Sequence, residues 1–228
     1  MKKKKWVIVI DGPSGAGKST VCQKLAKKLS YLYLDTGALY RCVALLVQKH
    51  ELPPKNSKKL YELVAQSKIH FQKGKTVQQV ILNGKNVTKL IRTSQVSLLA
   101  SRYSKLKSVR KALLQKQRDV AKEGGIVAEG RDLGTVVFPN AELKFFMEAS
   151  VKERARRRYL ELHAKGEKVT LKEVETQIRD RDLSDERRTL SPLRKASDAI
   201  AIDTTRLTVD RVTEQLYKTF KKKYEHSH

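Results

Sequence analysis

Cysteine is scarce in this sequence: two residues in 228, Cys22 and Cys42. They are too few for a disulfide framework and sit at no metal-ligand spacing. Both fall in segments of helical periodicity, so they are expected to be reduced packing residues of a cytoplasmic protein. Long hydrophobic runs are also missing. The apolar stretch from Trp6 to Ile10, preceded by Met1-Lys2-Lys3-Lys4-Lys5, imitates the start of a signal peptide, but Asp11 ends it too early. No later stretch is long enough to cross a bilayer, and no membrane partner is expected. No internal repeat and no low-complexity segment is visible. Acidic residues are few, 24 against 49 lysines and arginines, and the resulting formal charge of +25 makes nucleotides and nucleic acids the first expected partners. A hydrophobic share of 39% over this length supports one sizeable core with room for an inserted subdomain, rather than two independent domains.

The chain is organised around Gly12-Pro13-Ser14-Gly15-Ala16-Gly17-Lys18-Ser19-Thr20, which fits the G-x-x-x-x-G-K-[ST] pattern that wraps backbone N–H groups around nucleotide phosphates. The motif has meaning only between a buried strand and a helix. Both are expected here, a strand over Trp6–Asp11 and a helix carrying Val21, Leu25 and Leu29 at helical spacing. Lys18 then supplies a mobile charge near the β and γ phosphates, and Ser19 an oxygen for Mg²⁺.

Further along, strands are expected at Tyr31–Leu34, Ile126–Ala128, Leu143–Met147 and Ala199–Asp203. Helices are expected from Ala38 to about His50, from Ser108 to Glu123 and from Val209 to about Tyr224. Five short buried strands alternating with helices predict an α/β fold, a parallel sheet covered on both faces. Between Pro53 and Ser101 the pattern changes to short strands at Ile69–Phe71, Val77–Leu82 and Val87, with Asn83-Gly84 as a hairpin turn, and an insertion with a small antiparallel sheet is expected there. The stretch 151–195 alternates arginines with acids. It is open to two readings, a solvated helical pair held by i,i+4 charges or a helical lid bringing arginines to a phosphoryl group. The expected division is a core of 5–52, 102–150 and 196–225, an insertion of about 53–101, and a lid of about 151–195. The lysine runs at either end are expected to be solvated, and His226 and His228 are expected to be incidental rather than metal ligands.

Taken together, the phosphate loop, Leu34-Asp35-Thr36-Gly37-Ala38-Leu39-Tyr40-Arg41, Glu129-Gly130-Arg131-Asp132-Leu133-Gly134-Thr135-Val136-Val137-Phe138-Pro139 and Lys195-Ala196-Ser197-Asp198-Ala199-Ile200 resemble the bacterial type of cytidylate kinase. The likeness spans about Lys5 to Phe220. It implies a P-loop nucleoside monophosphate kinase with a core, a monophosphate-binding domain and a lid, which transfers a phosphoryl group from ATP to CMP or dCMP with Mg²⁺. In such a reaction the acceptor phosphate is already ionised, so no general base is needed, and catalysis rests on positioning and charge stabilisation.

Residue by residue, the resemblance gives Gly12 to Thr20 to ATP, with Lys18 also catalytic. Arg154 and Arg158, one turn apart, take the ATP side of a lid, with Arg158 also among the catalytic groups. Arg41, Arg131 and Arg188 go to the phosphates in transfer, suited by their planar, permanently charged forks. Ser101, Arg110 and Asp132 match the cytosine-reading positions, where a carboxylate accepts from the N4 amine that uracil lacks. Arg181 and Asp185 match positions at the sugar. Thr36 stands where some members carry serine, and Ser19 where some carry glycine, which leaves the acceptor-side hydroxyl in place. For Asp132 and Asp185 the competing reading is a structural ion pair with a nearby arginine. UMP/CMP, adenylate or shikimate kinases keep the first motif without the Asp132 and Arg110 pair. An RNA- or ribosome-associated P-loop GTPase would suit the basic charge, but the sequence lacks an Asn-Lys-x-Asp guanine-reading element. A monomer with no specific nucleic-acid partner is the expectation.

Overall fold

The computed structural model describes residues 4–72, 78–164 and 166–226, and within it the chain divides into two compact units, Met1–Tyr33 with Glu123–His228, and Leu34–Lys122. Strands β1 (Val7–Asp11), β2 (Leu32–Asp35), β6 (Ile126–Gly130), β7 (Leu143–Glu148) and β8 (Ile200–Asp203) form a five-stranded sheet in the order β2-β6-β1-β7-β8. β1 is central, parallel to β6 from Val7 opposite Ile126 to Asp11 opposite Gly130, and parallel to β7 from Ile8 opposite Leu143 to Asp11 opposite Phe146. Because β1 is flanked on both edges and covered on both faces, it reads as an unbroken apolar run ended by one carboxylate. From β1 the chain crosses to the β2 and β6 side of the sheet and later to the β7 and β8 side, so the crevice at the carboxyl end of β1 is the place where an open α/β sheet receives a ligand.

Helix α1 (Lys18–Leu29) buries Val21, Cys22, Leu25 and Ala26, and α8 (Val209–His226) buries Val212, Leu216 and Phe220, all in one core with Ile8, Ile10, Phe145 and Met147. α1 stops at Ser30, whose left-handed backbone (φ 56) lets its N–H bond back to Ala26 and Lys27. α6 (Val151–Ala164) and α7 (Leu171–Glu186) pack on each other through Ala155, Leu162, Val174 and Ile178. Thr170 and Glu173 close the start of α7 with a reciprocal capping box. The charged stretch is therefore a helical pair with an apolar seam of its own, as well as surface ion pairs.

The Leu34–Lys122 unit contains α2 (Thr36–Lys49), α3 (Lys58–Gln66), the antiparallel meander β3 (Ile69–Gln72), β4 (Gln79–Leu82) and β5 (Lys85–Asn86), then α4 (Ser94–Tyr103) and α5 (Lys107–Val120). Asn83 and Gly84 both have positive φ, 48 and 81, which is the two-residue hairpin geometry expected of that pair. Several expectations need correction. The third strand is Lys85–Asn86, and Val87 follows it as a buried residue whose N–H bonds the carbonyl of Val80. The second strand begins at Gln79; Val77, its expected start, lies outside the described residues. Helices α3 and α4 occupy stretches for which no helix was expected: Ser57 and Thr93 cap them by accepting from Leu60 and Val96 N–H groups. α5 ends at Val120, three residues short of the expected Glu123.

Candidate active site

The phosphate loop owes its path to contacts that tolerate no side chain. A Cβ on Gly12 (φ 147) would lie 1.9 Å from the Met147 carbonyl oxygen, and one on Gly15 (φ 79) 3.0 Å from Arg154 Cβ. The loop thus turns tightly against β7 and α6. Lys18, the first residue of α1, is buried and donates from Nζ to the Pro13 carbonyl at 2.6 Å across the loop. Burial, reinforced by the Arg131 guanidinium, holds its ammonium well below the ordinary lysine value against the opposing pull of Glu129 and Asp11. A polyphosphate beside it favours the charged form. Ser19 and Thr20 are exposed on the first turn of α1.

Two acidic residues to which sequence reasoning gave no role stand at this loop. Ser19 Oγ donates to Glu129 Oε2 at 2.9 Å, while the buried Tyr33 hydroxyl donates to Oε1 and fixes the carboxylate. A hydroxyl and a carboxylate within 3 Å suit Mg²⁺, a hard ion that takes one or two protein oxygens and keeps water and phosphate as its other ligands. Among the described residues no group of three or more His, Cys, Asp or Glu side chains could hold a metal ion. Asp11, buried at the end of β1, accepts from the Leu133 N–H at 3.0 Å and the Gly134 N–H at 2.7 Å. Burial pushes its carboxyl up to about 6 despite those two donors.

At the carboxyl end of β6, Arg131 donates from Nε to Asp185 Oδ2 at 3.0 Å and from Nη1 to the Gly130 carbonyl at 3.1 Å. Arg188 is buried, its Nε donating to the Asp185 carbonyl and its Nη1 3.9 Å from Asp185 Oδ1. Burial opposes ionisation of Asp185, but the guanidinium groups of Arg131, Arg188 and Arg181 outweigh it and keep the carboxyl below its ordinary value. Three expected arginines therefore gather on one expected carboxylate, and Arg131 joins that group to Lys18 by its charge. Asp132 is buried immediately beside Arg131, at the head of a π-helical turn over Leu133–Val137.

The two expected lid arginines differ in their surroundings. Arg154 is buried, donating to the Ala149 carbonyl at 2.8 Å and the Ser14 carbonyl at 3.0 Å, and pairing with Asp182 at 2.7 Å. Arg158 is partly exposed and pairs with Glu161 at 2.8 Å. Arg157, between them in sequence and not singled out beforehand, donates to Thr204 and lies 3.8 Å from where a Gly17 Cβ would be.

In the Leu34–Lys122 unit, Asp35 caps α2 by accepting from the Ala38 N–H at 2.9 Å and pairs with Arg92 at 3.0 Å. Thr36 is buried at the start of α2, and Arg41 Nη1, 3.8 Å from Asp35, is a buried nitrogen with no hydrogen-bond partner among the described residues. Arg110 donates to the Ser104 carbonyl at 3.0 Å and lies over the Tyr40 ring, and Ser101 accepts from Ser104 Oγ at its own carbonyl. Arg92 had no motif to mark it.

A parallel sheet with a glycine-built phosphate loop at the end of its central strand, and the Arg131 guanidinium acting on the loop lysine, defines a P-loop kinase. The family model for cytidylate kinase matches residues 8–222. The chain is 48% identical over 210 residues to the cytidylate kinase of Syntrophotalea carbinolica, covering 92% of this chain and 89% of that one. It is 48% identical over 216 residues to the cytidylate kinase of Carboxydothermus hydrogenoformans, covering 95% and 97%. This chain belongs to the cytidylate kinase family. Among solved structures, a gluconokinase from Sinorhizobium meliloti aligns over 100% of both chains with a TM-score of 0.50 and 14% identity, a likeness of fold alone. Family membership decides against the RNA- or ribosome-associated reading.

Proposed function

We propose that this protein transfers the γ-phosphoryl group of ATP to CMP or dCMP, giving ADP and CDP or dCDP. The observation that carries the proposal is Arg131, which pairs with Asp185 alongside Arg188 and whose charge also reaches Lys18, with a buried Asp132 directly beside it in the chain. Bringing two phosphate chains together costs electrostatic repulsion, and a desolvated group of permanent cations offsets it where the charge develops. The loop amides and Lys18 hold ATP, with Arg154 and Arg158 on the ATP side. Arg41, Arg131 and Arg188 bind the phosphates in transfer, and Thr36 the acceptor. Asp132, Arg110 and Ser101 read cytosine, and Arg181 and Asp185 bind the sugar. Ser19 and Glu129 would hold Mg²⁺, which neutralises charge on the ATP phosphates when bound.

No side chain is needed as a base, because the attacking oxygen belongs to an ionised phosphate. The stretch of about 151–195 acts as a lid and that of about 53–101 as the acceptor-binding insertion, in a cytoplasmic monomer. No helix among the described residues is long and apolar enough to cross a membrane. The test is an acceptor screen with ATP and Mg²⁺ fixed and the monophosphate varied. CMP and dCMP should turn over well above UMP, AMP and GMP, and a preference for UMP or silence toward CMP would overturn the proposal.

A further inference from the structure

We propose that Asp11 is a positioning residue for the acceptor, holding the two-residue segment Arg131-Asp132 in place from both of its ends. This rests on the reading of Arg131 and Asp132 as acceptor-binding residues given above. At the near end, Asp11 is the strand partner of Gly130, the residue before Arg131. At the far end its carboxylate reaches past the strand to the amides of Leu133 and Gly134, the two residues after Asp132. Those amides open the π-helical turn over Leu133–Val137, where the first N–H groups of a helical turn have no acceptor within the turn itself. Asp11 supplies one oxygen to each.

The segment between needs such a hold. Asp132 has φ −144 and ψ 25, outside the helix and strand basins, and the Val136 N–H hangs on its carbonyl at 2.9 Å. Releasing the far end lets the peptide relax, and both Arg131 and Asp132 then leave their places together.

The test uses Asp11→Asn and Asp11→Glu, with Asp132→Ala as reference. ATP affinity is measured by calorimetry, kcat/KM for CMP and UMP by coupled assay, and folding by circular dichroism. Asparagine keeps one acceptor but turns an N–H toward a backbone N–H, so kcat/KM for CMP should fall about ten- to a hundredfold. The preference for CMP over UMP should narrow, and ATP affinity, which loses only the pull of Asp11 on Lys18, should fall by much less than kcat/KM for CMP. Asp11→Glu, with both acceptors on a longer stem, should fall between this variant and the wild type. Wild-type CMP kinetics in Asp11→Asn overturns the proposal. So does an equal loss of ATP affinity, which would make Asp11 a phosphate-loop residue, and so does failure of both variants to fold, which would make it a determinant of the fold. If Asp132→Ala itself leaves CMP use at the wild-type level, the acceptor reading fails first, and that result is separable from the others.

Discussion

Arg154 on α6 and Asp182 on α7 form a buried ion pair, Nη1 to Oδ2 at 2.7 Å, and the same Nη1 donates to the carbonyl of Ser14 inside the phosphate loop. One guanidinium therefore ties both helices of the charged pair to the loop. Arg154→Ala would strand Asp182, whose Oδ1 already has no hydrogen-bond partner among the described residues. Removing one partner of a buried pair costs about 3–5 kcal/mol, so a loss of that order in urea unfolding is expected. Arg158→Ala, at a partly exposed pair with Glu161, should stay within about 0.5 kcal/mol of the wild type. Equal stabilities for the two variants would dissolve the distinction.

Asp132→Ala tests base recognition. A buried carboxylate that accepts from the cytosine amine has no counterpart for uracil, and mispairing a buried polar group costs a few kcal/mol. CMP kcat/KM should fall about a hundredfold or more, UMP use should change little, and ATP binding should persist. Parallel loss of CMP and ATP binding would make Asp132 a structural residue.

For Arg188→Ala, turnover should drop by about two to three orders of magnitude, the range seen when a transition-state donor is removed. Circular dichroism should remain that of a folded protein. Arg188→Lys should recover only part of the rate, because an ammonium cannot replace a planar fork. Unchanged turnover in the alanine variant would take Arg188 out of the reaction. Asp185 then keeps Arg131 as its partner at 3.0 Å, so its burial remains offset.

The fold was legible wherever its signal is local. The phosphate loop announces itself in nine consecutive residues, and the five strands of the main sheet in short apolar runs, because each depends on nearest neighbours in the chain. α3 and α4 escaped for a different reason. α3 buries only Leu60 and Val64, and α4 only Val96, Ala100 and Tyr103, so each apolar stripe is too thin to stand out between strands. Their caps, Ser57 and Thr93, were the available signal. Glu129 and Asp11 could not be given roles from sequence, since their contacts close over separations of 110 residues to Ser19 and of 122 and 123 residues to Leu133 and Gly134. Arg154 had a role by resemblance, but its burial against Asp182 depends on how α6 and α7 pack.

Acid unfolding offers a test independent of the substrate. Glu153 accepts from Arg156 and Arg157, and the hydrogen bond from Arg156 above all, with Arg157 adding to it against the cost of burial, brings its carboxyl down to about 2 from an ordinary 4.5. A carboxyl whose folded value lies below its unfolded one releases its proton more readily in the folded state. Its stabilising share is therefore complete above the unfolded value and disappears as pH falls toward the folded one. Glu153→Gln should lower the melting temperature at neutral pH, and the gap to the wild type should close steadily between about pH 4.5 and pH 2. Near pH 2, where the folded-state carboxyl is half protonated, most of the charge-dependent part of the gap should be gone, and the rest should vanish below it. Arg157 loses an orienting partner in the variant, but its bonds to Thr204 do not titrate in this range, so they shift both ends of the profile equally. A gap that stays constant from pH 7 to pH 2 would mean that Glu153 stabilises α6 by packing and not by charge.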